Sequence, residues 1–203
     1  MSAYPVVVEG TALAALVVGG GTIGSRRALA LLDAGARVHV VALDVAEALV
    51  EAAQKESRLR ISRVDYSSDV LGDELLVIAA TNNSATNAAI AADARALGRL
   101  VNVASTPDLG NCAIPAVHRA GDIVVAISAG GVPNAALRLR DAIAETIDGR
   151  YAAAVAVLAT LRRALLASGH RERWDEAVHA LVGADFCRQV ESGEFSARVA
   201  KWR

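Results

Sequence analysis

The stretch Val17-Val18-Gly19-Gly20-Gly21-Thr22-Ile23-Gly24 constrains the fold more than any other part of this 203-residue chain. An apolar run over 13–18 meets a glycine cluster, and the cluster opens a helix-like run over 25–34. Gly19, Gly21 and Gly24 have the spacing G-x-G-x-x-G. In that arrangement the first glycine makes the tight turn, the second lets the backbone approach a pyrophosphate, and the third lets helix and strand pack closely. A phosphate placed there meets unpaired N–H groups at a helix N-terminus, where the peptide dipoles favour negative charge. The residues predict a dinucleotide-binding loop at the end of a buried strand.

The alternation continues along the chain. Strands are expected over 13–18, 37–42, 60–64, 75–80 and 100–103, and helices over 25–34, 46–56 and 85–97, with Gly35 and Gly98 as C-terminal stops. Strand–helix alternation with short links argues for an α/β fold with a doubly wound parallel sheet, whose ligand lies along the carboxyl edge of the strands. After Pro107 the pattern changes. Two apolar runs, 113–117 and 123–128, read as strands with no long helix between them, and Ala129-Gly130-Gly131-Val132-Pro133-Asn134 turns into a helix over 135–147. From Tyr151 onward everything reads as helix, broken near Gly169 and Gly183.

Composition narrows the function classes. With 54% hydrophobic but only 3% aromatic residues, Ala, Val and Leu must build the core. A net charge of -1 gives no global basic field for nucleic acid. No apolar run approaches the roughly 20 residues that cross a bilayer. The start MSAYPVVVEG lacks the basic and apolar stretches of a signal peptide, so a cytoplasmic protein is expected. Cys112 and Cys187 stand far apart and suggest neither a disulfide framework nor a zinc site, and no metal ligands are expected.

Several residues then stand out. Asp44 lies about 20 residues beyond Gly24, where an acid that binds a ribose hydroxyl is expected. Asp44-Val45-Ala46-Glu47 also has the spacing of a capping box for the following helix, and both readings stay open. Nothing basic follows the second strand to receive a 2′-phosphate, which favours NAD over NADP. Thr81, Asn82 and Asn83 end the strongest strand, where they can line a site or cap the next helix through Asn83 or Ser84. Asn102 to Pro107 occupies the same edge one strand further on. His118 is a candidate acid–base group, and Asp108 reads as a solvated turn acid. Ser128 with Gly130 and Gly131 has the form of an anion-binding turn ahead of a helix. Arg119, Arg138 and Arg140 can hold carboxylates through forked hydrogen bonds.

Taken in order, these pieces resemble the precorrin-2 dehydrogenase family, which includes the N-terminal module of siroheme synthases. The resemblance runs through Tyr4-Pro5-Val6, the triple-glycine loop with Arg26-Arg27, Ala79-Ala80-Thr81-Asn82 and Leu100-Val101-Asn102-Val103. It continues through Ile114-Pro115-Ala116, Arg119 and Ala126-Ile127-Ser128-Ala129-Gly130-Gly131. It implies an NAD-binding Rossmann-like domain over 1–112, a small α+β dimerisation region over 113–148 and a helical C-terminal domain over 149–203. It further implies a homodimer and NAD-dependent oxidation of precorrin-2 to sirohydrochlorin, with metal insertion in some members. Carried over by position, Gly21, Thr22 and Ile23 meet the diphosphate, Leu43 and Asp44 the adenosine ribose, and Thr81, Asn102 and Val103 the nicotinamide side. Arg119, Ser128, Gly130, Gly131 and Arg138 are the expected substrate contacts. Many members carry an aspartate in N-x-x-D-x-P, where this chain has Ser105 in Asn102-Val103-Ala104-Ser105-Thr106-Pro107. A hydroxyl is no base near neutral pH, so Asp108 or His118 is the expected substitute. Two alternatives remain: a chelatase or tetrapyrrole carrier without redox activity, and an NAD-sensing module.

Overall fold

A computed structural model describes residues 3–202. The chain divides into two compact units, one up to Ile114 and one from Pro115.

The first unit holds five strands, β1 (Ala14–Gly20), β2 (Arg37–Val45), β3 (Leu59–Ser62), β4 (Leu76–Ala79) and β5 (Leu100–Val103), and three helices, α1 (Thr22–Asp33), α2 (Glu47–Lys55) and α3 (Ser84–Ala96). The sheet order is β3-β2-β1-β4-β5 and all four pairings are parallel. This is the strand order of a doubly wound dinucleotide-binding fold, with its switch point between β1 and β4. Both faces are covered, so β1 is an unbroken apolar run without alternation. Ala15 and Val17 join a core with Ala28, Leu32, Val40, Leu49 and Ile78. Leu16 and Val18 face the other way, onto Val77, Ile90, Ala94 and Val101. The link from β3 to β4 carries only a 3-10 turn, Ser68–Val70, and packs Tyr66, Val70 and Leu71 on that second face in place of a helix.

The second unit is a hairpin of β6 (Ala116–Ala120) and β7 (Ile123–Ile127), then α4 (Pro133–Thr146), α5 (Gly149–Ala167), α6 (Arg171–Leu181), α7 (Phe186–Ser192) and α8 (Phe195–Ala200). Ile123 and Ile147 pack into the helical core formed by Tyr151, Leu161, Leu181, Phe195 and Val199. Within this unit the hairpin, α4 and the helical tail therefore share one core. Phe186 meets Phe195 edge-on at 5.2 Å, a favourable quadrupolar arrangement.

Several expectations change. The helix after the glycines begins at Thr22, not Ser25, which puts Thr22, Ile23 and Gly24 in its first turn. Asp44 does not cap α2: the N-cap is Ala46 and has no side-chain hydrogen bond. A register shift in β1 between Val18 and Gly20 brings Gly20 opposite Val45, and the Ala46 N–H donates to the Gly20 carbonyl at 2.9 Å, so β2 extends past Asp44. The strand expected over 113–117 starts at Ala116. Before it, the N–H groups of Asn111 and Cys112 both donate to the Val101 carbonyl, and Pro115 has no N–H to give. The helical tail has an additional break at Gly193, whose φ of 80° ends α7.

Candidate functional site

The carboxyl ends of β1, β2 and β4 open into a cleft of about 760 Å³. It is lined by residues 18–22, 41–46, 64–66 and 80–83, with Thr86. Each motif glycine has a distinct spatial reason to be there. Gly19 has φ 118°, and a Cβ on it would lie 2.4 Å from the Ala80 carbonyl oxygen. A Cβ on Gly24 would lie 1.9 Å from the Gly19 oxygen, so only glycine lets α1 sit this close to the strand end. A Cβ on Gly21 would meet nothing within 4 Å. Its missing side chain leaves room for something other than this chain.

That room faces an uncapped helix end. Gly21 is the N-cap of α1 and supplies no side-chain acceptor. The first N–H groups of an α-helix have no partner within the helix, and here those are on Thr22, Ile23 and Gly24. Ser25, the next residue, donates its N–H to Gly21 and its hydroxyl to the Gly20 carbonyl at 3.0 Å, which braces the turn from beneath. An array of aimed N–H groups at a positive dipole end suits a diphosphate.

Leu43 and Asp44 are exposed at the end of β2 and line the cleft. The structure adds a cation the sequence argument missed. Arg63 follows β3 and points its Nη1 at the Leu43 carbonyl, 3.5 Å away. It was invisible from sequence because it reaches this end from the neighbouring strand. Tyr66 lines the same cleft and donates to Asp93 Oδ2 at 3.0 Å. Burial, then that bond beside the carboxylate, raises its phenol above the ordinary value and keeps it a donor.

On the other side, Asn83 caps α3, accepting from the N–H groups of Ala85 and Thr86. The Thr81 hydroxyl bonds to Asn87 Oδ1 at 2.7 Å, and Asn87 Nδ2 donates to Ser105 Oγ at 3.3 Å. Sequence reasoning also passed over Asn87, because an asparagine inside an alanine-rich helix carries no motif. Asn102 and Val103 are buried in β5, and the Asn102 amide donates to the Cys112 carbonyl at 3.0 Å. The Asn102 side chain therefore braces the strand and does not reach outward. Ser105 and Asp108 are exposed, with Asp108 in the 3-10 turn Pro107–Leu109 that follows β5.

Within the second unit, His118 sits on β6 with Nε2 2.6 Å from the Ile147 carbonyl. That nitrogen ties the hairpin to the end of α4. Gly130 and Gly131 adopt φ 54° and 84° ahead of α4, and a Cβ on either would meet nothing within 4 Å. The N-cap is Val132, which offers no side-chain acceptor, and Pro133 occupies the first turn. Ser128, Arg119 and Arg138 are exposed. Arg140 pairs with Asp141 on α4. A separate concavity of about 990 Å³ in the tail mixes Arg171, Arg173 and Lys201 with Glu172, Asp175 and Glu176, so it offers little net attraction to an anion. Among the described residues, no helix is long and apolar enough to cross a membrane.

Comparison with known proteins agrees with this geometry. Residues 6–116 match a family described as putative NAD(P)-binding. The siroheme synthase of Saccharophagus degradans is 36% identical over 152 residues, 74% of this chain and 33% of that protein. The siroheme synthase of Methylobacillus flagellatus is 32% identical over 203 residues, 97% of this chain and 42% of that protein. The chain thus spans about a third of the length of the first curated relatives it matches. Among solved structures, SirC, precorrin-2 dehydrogenase, superposes with a TM-score of 0.78 at 28% identity, covering 98% of this chain and 100% of that one.

Proposed function

The chain belongs to the NAD(P)-binding family of precorrin-2 dehydrogenases and siroheme synthase N-terminal modules, and from that premise we propose that it oxidises precorrin-2 to sirohydrochlorin with NAD⁺ in tetrapyrrole biosynthesis. The observation that carries this reading is the likeness to a precorrin-2 dehydrogenase over the whole chain, both units included. The glycine cradle at the head of α1 supports the cofactor part.

A bound nicotinamide dinucleotide supplies the hydride acceptor. This chain's residues bind and orient. The N–H groups of Thr22, Ile23 and Gly24 hold the diphosphate, and Asp44 accepts from a ribose hydroxyl beside Leu43. Asp44 would repel a 2′-phosphate, which supports NAD over NADP although Arg63 stands beside the Leu43 carbonyl. Thr81 and the backbone at Asn102 and Val103 flank the nicotinamide side. Precorrin-2 is a polycarboxylate, and Arg119, Arg138, Ser128 and the amides of Gly130 and Gly131 are suited to its acid groups. Loss of hydride from the macrocycle is accompanied by loss of a proton. Asp108 is the exposed carboxylate nearest in sequence to the family's aspartate position, and it takes that proton in place of Ser105. A homodimer is supported by the β6–β7 hairpin, whose outward face exposes Val117 and Val124.

The test is anaerobic incubation with precorrin-2 and NAD⁺, following sirohydrochlorin absorbance. Product formation that is lost in Asp108→Ala supports the assignment. No product from the native chain, with product restored in Ser105→Asp, refutes it and leaves a carrier or chelatase.

A further inference from the structure

Asn87 lies one turn into α3, is 2% exposed, and has its amide fully engaged. Its Oδ1 accepts from the Thr81 N–H at 3.1 Å and from the Thr81 hydroxyl at 2.7 Å. Its Nδ2 donates to the Thr81 carbonyl at 3.0 Å and to Ser105 Oγ at 3.3 Å. The amide has only one orientation that works. A backbone N–H can only donate and a backbone carbonyl can only accept, so the two main-chain bonds to Thr81 decide which end is oxygen.

The two hydroxyls inherit opposite roles. Thr81 Oγ1 has two acceptors for its hydrogen, Asn87 Oδ1 at 2.7 Å and the Asn83 carbonyl at 3.1 Å, and accepts the Asn83 N–H at 3.2 Å, so with the hydrogen on either one what it has left to offer is a lone pair. Ser105 accepts from Asn87, so its own hydrogen is free to point outward, and the residue is exposed. The contacts around one buried amide thus leave Thr81, after β4, with an acceptor and Ser105, after β5, with a hydrogen free to donate.

We propose that Asn87 is a positioning residue, and that the pair it sets, Thr81 as acceptor and Ser105 as donor, receives the carboxamide of the nicotinamide ring. This deepens the cofactor reading above and rests on it. A primary carboxamide presents one accepting oxygen and one donating NH₂, the complement of that pair. It also gives the serine at position 105 a role that needs no basicity: an ionised carboxylate there only accepts, whereas this hydroxyl donates.

The test separates nicotinamide recognition from the rest of the cleft by titrating the full chain with NADH and, separately, with ADP-ribose, which lacks the ring. The native chain binds NADH more tightly than ADP-ribose. Asn87→Ala and Ser105→Ala each weaken NADH about three- to tenfold, the range of one lost neutral hydrogen bond, and leave ADP-ribose unchanged. Equal weakening of both ligands overturns the inference, because Asn87 then only supports the cleft. So does unchanged NADH binding. If Asn87→Ala fails to fold, Ser105→Ala at its exposed position decides the matter by the same ratio. A native chain that binds both ligands equally overturns this inference alone. One that binds neither overturns the cofactor reading as well.

Discussion

Replacing Gly21 with alanine should separate binding from folding. Gly21 has φ -77° and ψ -170°, an extended conformation open to any residue, and its added Cβ meets nothing within 4 Å. Alanine is a poorer N-cap than glycine, but it also restricts the unfolded chain, and these opposing effects leave stability within about 1 kcal/mol. For a chain of this length that is a Tm change of about 2–4 °C or less. The new methyl group stands instead where a diphosphate must approach the N–H groups of α1. Loss of one charge-assisted hydrogen bond costs about 1.5–3 kcal/mol, so NADH binding should weaken about 10- to 150-fold. Gly24→Ala is the contrast. Its Cβ would lie 1.9 Å from the Gly19 oxygen and 2.9 Å from the Gly19 carbonyl carbon, both backbone, so the turn itself must move. Overpacking of this kind costs about 1–3 kcal/mol or more, and the Tm should fall by several degrees. Differential scanning fluorimetry with fluorescence titration of NADH reads both quantities. If Gly21→Ala binds NADH like the parent, the diphosphate does not lie on α1. If it loses as much Tm as Gly24→Ala, the argument from free space is wrong.

His39 should make stability depend on pH. Burial first, then the charge of Arg60, depress its pKa below the ordinary value of 6.5, against the opposing pull of Glu74. The unfolded chain therefore binds the proton more readily, so this contribution is present above about pH 6.5 and is lost as pH falls toward the lower folded value. Tm should fall between pH 7 and 5.5, and His39→Gln should flatten that slope; an unchanged slope refutes the assignment. Asn83→Ala removes the cap of α3 and should cost about 1 kcal/mol, or about 2–4 °C in Tm. Asp44→Ser should reduce the preference for NAD⁺ over NADP⁺ about tenfold, the range of a hydrogen bond to a charged group, in competitive titrations. A preference that does not change would place the ribose away from β2.

Most of the first unit was legible in the chain because its signals are local. An apolar run covered on both faces, a glycine at each forced close approach and an asparagine before an alanine-rich helix all act through neighbouring residues. The five strands and three helices follow from that, and so does the cradle at Gly19, Gly21 and Gly24. What tertiary structure decided is whatever depends on partners distant in sequence. Asp44 is a strand residue and not a helix cap because Gly20 of another strand pairs with Val45. His118 is engaged because Ile147, 29 residues away, places a carbonyl beside its ring. Asn102 is turned inward by the Cys112 carbonyl, and Asn87 gains its importance only when α3 brings its amide to Thr81 and Ser105. Periodicity can assign a residue to an element. A polar side chain's role is set by which donor or acceptor the folded chain puts within about 3 Å of it, because a buried polar group must find a partner and takes the one the packing supplies.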